Sequence, residues 1–526
     1  MAGDHGESRA AAHIAASVAA LPGANGTRAG SSRVRAATFT SLIHALIDGS
    51  HVPKRADAAR LAGPAGLVVG AFAVSRMAAY GAGVRFDASP LGYFWQIVDA
   101  DLLRSRLLES LYHLHSQPPG FNALLGVVLG LFPERYELAL AVLYLLVGLA
   151  FTIALYLLLH LVAGIERWTS AAVSAVVCAS PPWLTYENWL FYEYPAGMLL
   201  AVSALLLWRF LRRGTTRAGL VFFGAVAALV WFRSAFQPLW LALVVLLLVL
   251  CSGGLRSRAA RTSAVAIGAT LLLVGKNLVV FGVPSTSSWL GMNLAEVVYS
   301  QVPPDERRAL VARGELSRVS LEDPFSPPAD YVALLGQPRP RGVPVLDRLG
   351  TDENPNMNHA IFLDVSEKYL ADSVRLIRLR PRAYATAVWL SLGLYARPPT
   401  ESIYVAGNRE RLGVYSEIAH RALFLQVKPG EPAWAIVLSH TLALLYGLRL
   451  TYRLLRQRIP SSPAAVTLAY MWLTLVYVTA ATSLVQIVEN NRIRFLVDAF
   501  ALVLLAAAAR EALGWARARR AARSAM

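Results

Sequence analysis

The chain has 526 residues, 56% of them hydrophobic and 16% charged, with a mean hydropathy of +0.47 and a formal net charge of +17. A soluble domain of that size cannot hide so much apolar surface, and the apolar residues fall in long runs separated by short polar joints. The arginines gather in short loops and at the two chain ends, where they set membrane orientation, so the positive charge does not mark a nucleic-acid binder.

The expected fold is therefore an all-α polytopic membrane protein of about 10–12 transmembrane helices, with outer-face loops and short interfacial helices. Residues 1–60, rich in Ala, Gly, Ser and Arg, read as a mobile basic cytoplasmic tail, with one short interfacial helix over 39–47. The stretch AAHIAASVAAL carries a histidine and lacks the strong apolar core of a cleaved signal peptide. A first span over 62–83 follows Lys54, Arg55 and Arg60, which puts its start in the cytoplasm and a first loop, 84–135, outside. Within that loop the apolar piece 118–132, with Gly120, Gly126 and Gly130, is too short to cross upright and reads as re-entrant or interfacial.

Spans then follow over 137–163, 169–184, 195–211, 218–232, 236–251 and 263–282. With 118–132 not crossing, Arg209, Arg212, Arg213, Arg217, Arg256, Arg258 and Arg261 all fall inside, as the positive-inside bias requires. Residues 283–432 form a long outer region, rich in Pro and charge, with a helix over 361–380 and a second apolar piece of doubtful length, 383–397. Spans over 433–452, 464–487 and 495–513 close the membrane part and leave a basic cytoplasmic tail, 514–526. No internal repeat or heptad seam is visible. Cys178 and Cys251 lie in or beside apolar runs, which argues against a disulfide framework or a thiolate metal site.

This topology gathers the unusual polar residues on the outer face. The segment Asp87 to Asn122 supplies three candidate general bases, Asp99, Asp87 and Asp101, although Asp99 and Asp101 also precede an amphipathic helix where a carboxylate caps well. His115 and Gln117 lead into the turn made by Pro118 and Pro119, which presents polar side chains with fixed geometry. Glu187 and Glu193 sit in the aromatic run 186–194; acids this close to a span are costly unless they face a polar cavity or a partner. Lys276 lies near the outer end of a span, where it can snorkel to headgroups or serve a site. Arg492 and Arg494, with Glu489 beside them, run against the positive-inside trend and call for a local anion; bidentate arginine suits a phosphate.

An outer loop with an early Asp, then H-x-Q-P-P, then an acid-bearing second outer loop, then E-N-x-R-x-R before the last span, resembles the GT-C superfamily of polytopic glycosyltransferases. These use polyprenyl-phosphate-linked sugars and include protein O-mannosyltransferases and lipid A aminoarabinose transferases. HSQPPGFN is the strongest piece of the resemblance, and residues 61–282 form its N-terminal module. The first loop lacks the paired Asp-Glu of the protein mannosyltransferases, and no large soluble domain follows the last span, so the acceptor class stays open.

The resemblance implies an inverting transferase that passes a sugar from a polyprenyl-phosphate donor to a glycan, lipid or protein acceptor at the extracytoplasmic face of the cell inner or plasma membrane, both termini being cytoplasmic. Asp99 would be the base, with Asp87 and then Asp101 behind it. Arg492, Arg494 and Lys276 would hold the donor phosphate. Glu187, His115, Gln117 and Glu193 would orient the acceptor, or His115 and Glu187 a divalent cation such as magnesium or manganese. The competing readings are a transporter or lipid-carrier flippase with these charges along its path, which usually shows repeated halves, and a non-catalytic membrane assembly factor.

Overall fold

The computed structural model describes residues 55–351 and 353–524. The chain divides into two compact units, Met1–Gly66 and Leu67–Met526; apart from the start of the first helix, everything described below belongs to the second. The N-terminal tail and its interfacial helix fall outside the described residues.

The described residues are helical, with no strand among them; two isolated bridges occur, Asp87 with Trp189 and Gly350 with Pro355. In chain order the principal helices up to the long outer region are α1 (Arg55–Gly81), α2 (Ala100–Ser105), α3 (Leu107–Tyr112), α4 (Gly120–Leu131), α5 (Tyr136–Leu157), α6 (Arg167–Ala179), α7 (Pro181–Glu187), α8 (Glu193–Arg213), α9 (Thr216–Phe232), α10 (Pro238–Cys251) and α11 (Ala264–Phe281). After it come α12 (Leu290–Tyr299), α13 (Ile361–Leu379), α14 (Pro381–Tyr395), α15 (Ala406–Ala422), α16 (Trp434–Leu455), α17 (Pro463–Val485) and α18 (Asn490–Ser524).

Five helical stretches, Tyr136–Val162, Glu193–Arg213, Gly253–Phe281, Trp434–Leu455 and Pro463–Val485, are long and apolar enough to cross a membrane. Helices α4, α9 and α10 are apolar but shorter. Helix α8 is the axis of the bundle, packing against α5, α9, α17 and α18. Its N-terminal turn is wholly buried, which is why the chain can place charge there only with partners.

Two helix boundaries depart from the apolar runs for clear reasons. The run 169–184 is broken at Ser180, whose extended backbone (φ −65°, ψ 150°) is what a residue before proline favours, and α7 restarts at Pro181. The last helix begins at Asn490 and is continuous to Ser524, so the E-N-N-R-I-R motif opens the helix and the basic tail extends it. No proline interrupts this stretch.

The outer region folds around a core of its own. Trp289, Met292, Val298, Val319, Phe362, Val365 and Tyr369 pack together between α12 and α13. The two helices approach so closely that a Cβ at Gly291 would lie 1.8 Å from the Ser366 carbonyl oxygen. Asp372 fastens the intervening chain by accepting hydrogen bonds from the Ser317 hydroxyl at 2.6 Å and the Ser320 hydroxyl at 2.7 Å.

Candidate functional site

The site is built where five chain segments meet around Arg492. Helix α18 brings Arg492 into its first turn, the end of a helix dipole that repels a cation, so the guanidinium depends on anions from outside its own backbone. They come from Glu193, the first residue of α8, with Oε1 3.3 Å from Nη1, and from Glu489, with Oε2 3.2 Å from Nε. Arg233, the residue that ends α9, approaches the same Glu193 Oε1 to 3.2 Å and donates to the Tyr192 hydroxyl. Ser402 donates to Glu489 Oε2 at 2.8 Å. Arg492, Arg233, Glu193 and Glu489 are all buried.

The cluster is neutral in sum, two arginines against two glutamates, but its hydrogen bonding is incomplete. Both carboxylate oxygens of Glu193, Nε and Nη1 of Arg492 and Nε of Arg233 have no hydrogen-bond partner of good geometry among the described residues. Buried groups of this kind are normally satisfied, and leaving them unpartnered raises the energy of the site. The walls are aromatic: the Arg492 guanidinium lies 5.0 Å from the Phe191 ring centre and 5.7 Å from those of Phe94 and Tyr404, and Arg233 lies 4.1 Å from that of Tyr192. Trp189 and Tyr404 stack with an interplanar angle of 6°. Glu296, from α12, faces the cluster from the outer region; burial, with the Glu489 charge as a second cause, pushes its carboxyl up to about 7.

The first-loop acids sit differently from one another. Asp99 caps α2, accepting the backbone N–H of Asp101 at 2.9 Å and of Leu102 at 3.2 Å. It lies exposed on the rim of a cavity of about 60 Å³ that Gln96, Asn356 and Asn358 also line. Asp101 is exposed and pairs with Arg104 at 3.4 Å. Asp87 is half-buried, and its backbone is paired to the second polar loop: its N–H donates to the Asn188 carbonyl and its carbonyl accepts from Leu190, both at 2.9 Å. Its Oδ1 accepts from the Ser89 backbone N–H at 2.9 Å. Of the three, Asp87 is the one tied directly to the chain that carries Trp189, Phe191 and Glu193.

Other expected site residues are engaged elsewhere. Glu187 forms a buried two-pronged pair with Arg76 of α1, at 2.9 and 2.6 Å, and accepts from the Tyr194 hydroxyl at 3.0 Å. Gly148 of α5 leaves room for it, since a Cβ there would meet Glu187 Oε2 at 1.9 Å. His115 is held through both ring nitrogens, Nδ1 to the Ser288 hydroxyl at 2.8 Å and Nε2 to the Asn358 carbonyl at 3.0 Å; burial lowers its pKa to about 3. It is therefore a neutral fastener between the first loop and the outer region, with Gln117 buried beside it. Arg494 grips Asp498 at 2.9 Å and the Arg397 carbonyl at 2.8 Å. Lys276 donates to the Leu114 carbonyl at 2.7 Å.

Among the described residues no three His, Cys, Asp or Glu side chains converge as metal donors. His115 and Glu187, the pair expected to hold a divalent ion, have separate and complete sets of partners and do not fit a shared ion. Arg233, Ser402, Tyr404 and Glu296 join the cluster without having been singled out as site residues from the sequence. Only Arg233 carried a signal, as a cation at the end of an apolar run. Comparisons with protein-family models, with curated proteins and with solved structures find no match to this chain.

Proposed function

We propose that the chain is an inverting glycosyltransferase of GT-C type, passing a sugar from a polyprenyl-phosphate donor to an acceptor at the extracytoplasmic face of the cell membrane. The helices α1, α4, α6 with α7, α9, α10, α14 and α18 would complete the five long apolar ones as a bundle of about 10–12 elements in the bilayer, both termini being cytoplasmic. The observation that carries this reading is the buried pair of arginines, Arg492 and Arg233, which both approach Glu193 Oε1 while Nε and Nη1 of Arg492 and Nε of Arg233 lack hydrogen-bond partners of good geometry.

A phosphodiester supplies the acceptors that these unpartnered nitrogens lack. Its oxygens accept from Arg492 and Arg233, and the aromatic walls keep water out, so the charge that grows on the phosphate as it leaves is stabilised by fixed donors. Glu193 holds both guanidinium groups apart and oriented. On the opposite side of the sugar the acceptor hydroxyl attacks the anomeric carbon: the new C–O bond forms, the bond to the phosphate oxygen breaks, and the hydroxyl proton passes to a carboxylate. Asp87 is the carboxylate that fits best, because it belongs to the same backbone pairing as the aromatic wall, whereas Asp99 already serves as a helix cap. Glu489, fixed by Ser402, sets the position of Arg492.

The test is turnover with variants. Asp87→Asn should abolish release of polyprenyl phosphate while keeping donor binding, and Asp99→Asn should retain most turnover. Loss of turnover in Asp99→Asn alone would reverse the two assignments.

A further inference from the structure

Helices α3, α4, α9 and α11 enclose a second feature, an apolar groove of about 250 Å³ lined by Tyr112, Pro119, Ala123, Trp231, Leu272 and, at one end, Lys276. The face of α11 that continues from it is bare hydrocarbon: Leu271, Leu272, Leu278 and Val279 are all exposed, Val279 by 85%. In a helix long and apolar enough to cross a bilayer, such a face meets lipid chains. Lys276 and Arg341 lie on the ring of Phe281, Nζ at 5.3 Å and Cζ at 5.9 Å from its centre. Lys276 spends one of its three donors on the Leu114 carbonyl, and the Arg341 guanidinium reaches the Val280 carbonyl at 3.4 Å. Among the described residues neither forms an ion pair with a carboxylate. Lys276 lines the groove, and Arg341, beyond its lining, shares the Phe281 ring with it; two such cations beside an apolar groove are complementary to a phosphate joined to a hydrocarbon chain.

We infer that this groove binds an anionic phospholipid of the bilayer, its phosphate between Lys276 and Arg341 and part of an acyl chain between α4 and α11. The lipid would brace the His115 turn against α11, since Lys276 also holds the Leu114 carbonyl. Lys276, expected from the sequence to hold the donor phosphate, lies in this groove and away from the Arg492 cluster used in the proposed transfer step, so the lipid site stands whether or not that reaction does.

Native mass spectrometry of the full-length protein, with dioleoyl phosphatidylglycerol or dioleoyl phosphatidylcholine added, tests this directly. The expected result is about a tenfold preference for phosphatidylglycerol, falling about three- to fivefold in each of Lys276→Gln and Arg341→Gln, as loss of one surface cation implies. Arg341 is exposed, so its variant decides the question even where Lys276→Gln fails to fold. Equal retention of the two lipids, or a preference unchanged in Arg341→Gln, would overturn the inference. So would displacement of phosphatidylglycerol by an equal concentration of a polyprenyl phosphate, which would make the groove part of the carrier path.

Discussion

At the residue scale, the centre of the molecule is a set of buried charges whose roles differ by how completely each is satisfied. The Arg76–Glu187 pair has bidentate geometry and a tyrosine donor as well, and it acts as a structural tie. Arg76→Ala would strand a buried carboxylate and should lower stability by about 3–5 kcal/mol, read as a drop in the thermal midpoint in lipid nanodiscs. Arg492 is the opposite case, a buried guanidinium with two poorly aligned carboxylates. Arg492→Lys keeps the charge but loses the planar fork, and turnover should fall about 10²- to 10³-fold with little change in thermal midpoint. Glu296 adds a pH dependence. Its carboxyl, raised by burial to about 7, is neutral below that pH and charged above it, next to Glu489. Because the folded value lies above the unfolded one, its contribution to stability is full below the ordinary glutamate range and is lost as pH rises through about 7. Donor KM should accordingly rise above about pH 7, as a third negative charge enters the cluster, and Glu296→Gln should flatten that rise.

At the scale of elements, close approaches are set by glycines whose replacement has a definite consequence. Gly148→Ala would drive a methyl group into Glu187 and break the tie between α1 and α7, destabilising the fold by a margin comparable to Arg76→Ala; a variant with an unchanged thermal midpoint would contradict that packing. How much was legible beforehand follows from the same elements. Apolar runs marked α5, α8, α11, α16 and α17 correctly because long hydrocarbon stretches leave few alternatives. The break at Ser180 was written in Pro181 and Pro182 but hidden by apolar neighbours on both sides. Arg492 was readable because, in the topology expected from the sequence, it opposes the positive-inside trend, Glu489 as its neighbouring acid, and Glu193 because an acid at the end of an apolar run demands a partner. Arg76 was not, since one arginine in a long apolar run looks tolerable, and its partner lies 111 positions away. Ser402 and Tyr404 come from a stretch with no periodicity at all. The polar character of H-S-Q-P-P was plain, yet its purpose, holding Ser287, Ser288 and Asn358, depends on contacts more than 150 residues distant.

For the whole molecule, one central helix collects a charged cluster at its buried N-terminal turn, while the outer region packs over that end with a core of its own. Under the proposed function, this division would let the outer region meet an acceptor while the bundle keeps the arginines fixed. The proposed orientation places Ser89 and the α12 end of the cluster outside, and Arg212, Arg213 and Ser461 inside. Cysteines introduced as Ser89→Cys and Ser461→Cys should therefore label with a membrane-impermeant maleimide only from outside and only from inside, respectively. The most direct measurement of the central claim is release of polyprenyl phosphate by the purified protein in nanodiscs, given a panel of polyprenyl-phosphate sugars and an acceptor extract, beside Arg492→Lys and Asp87→Asn. Release from one donor that is lost in both variants is the predicted result. A folded protein that releases nothing from any donor, yet moves a lipid-linked or soluble substrate across the bilayer, would contradict it and put translocation in place of transfer.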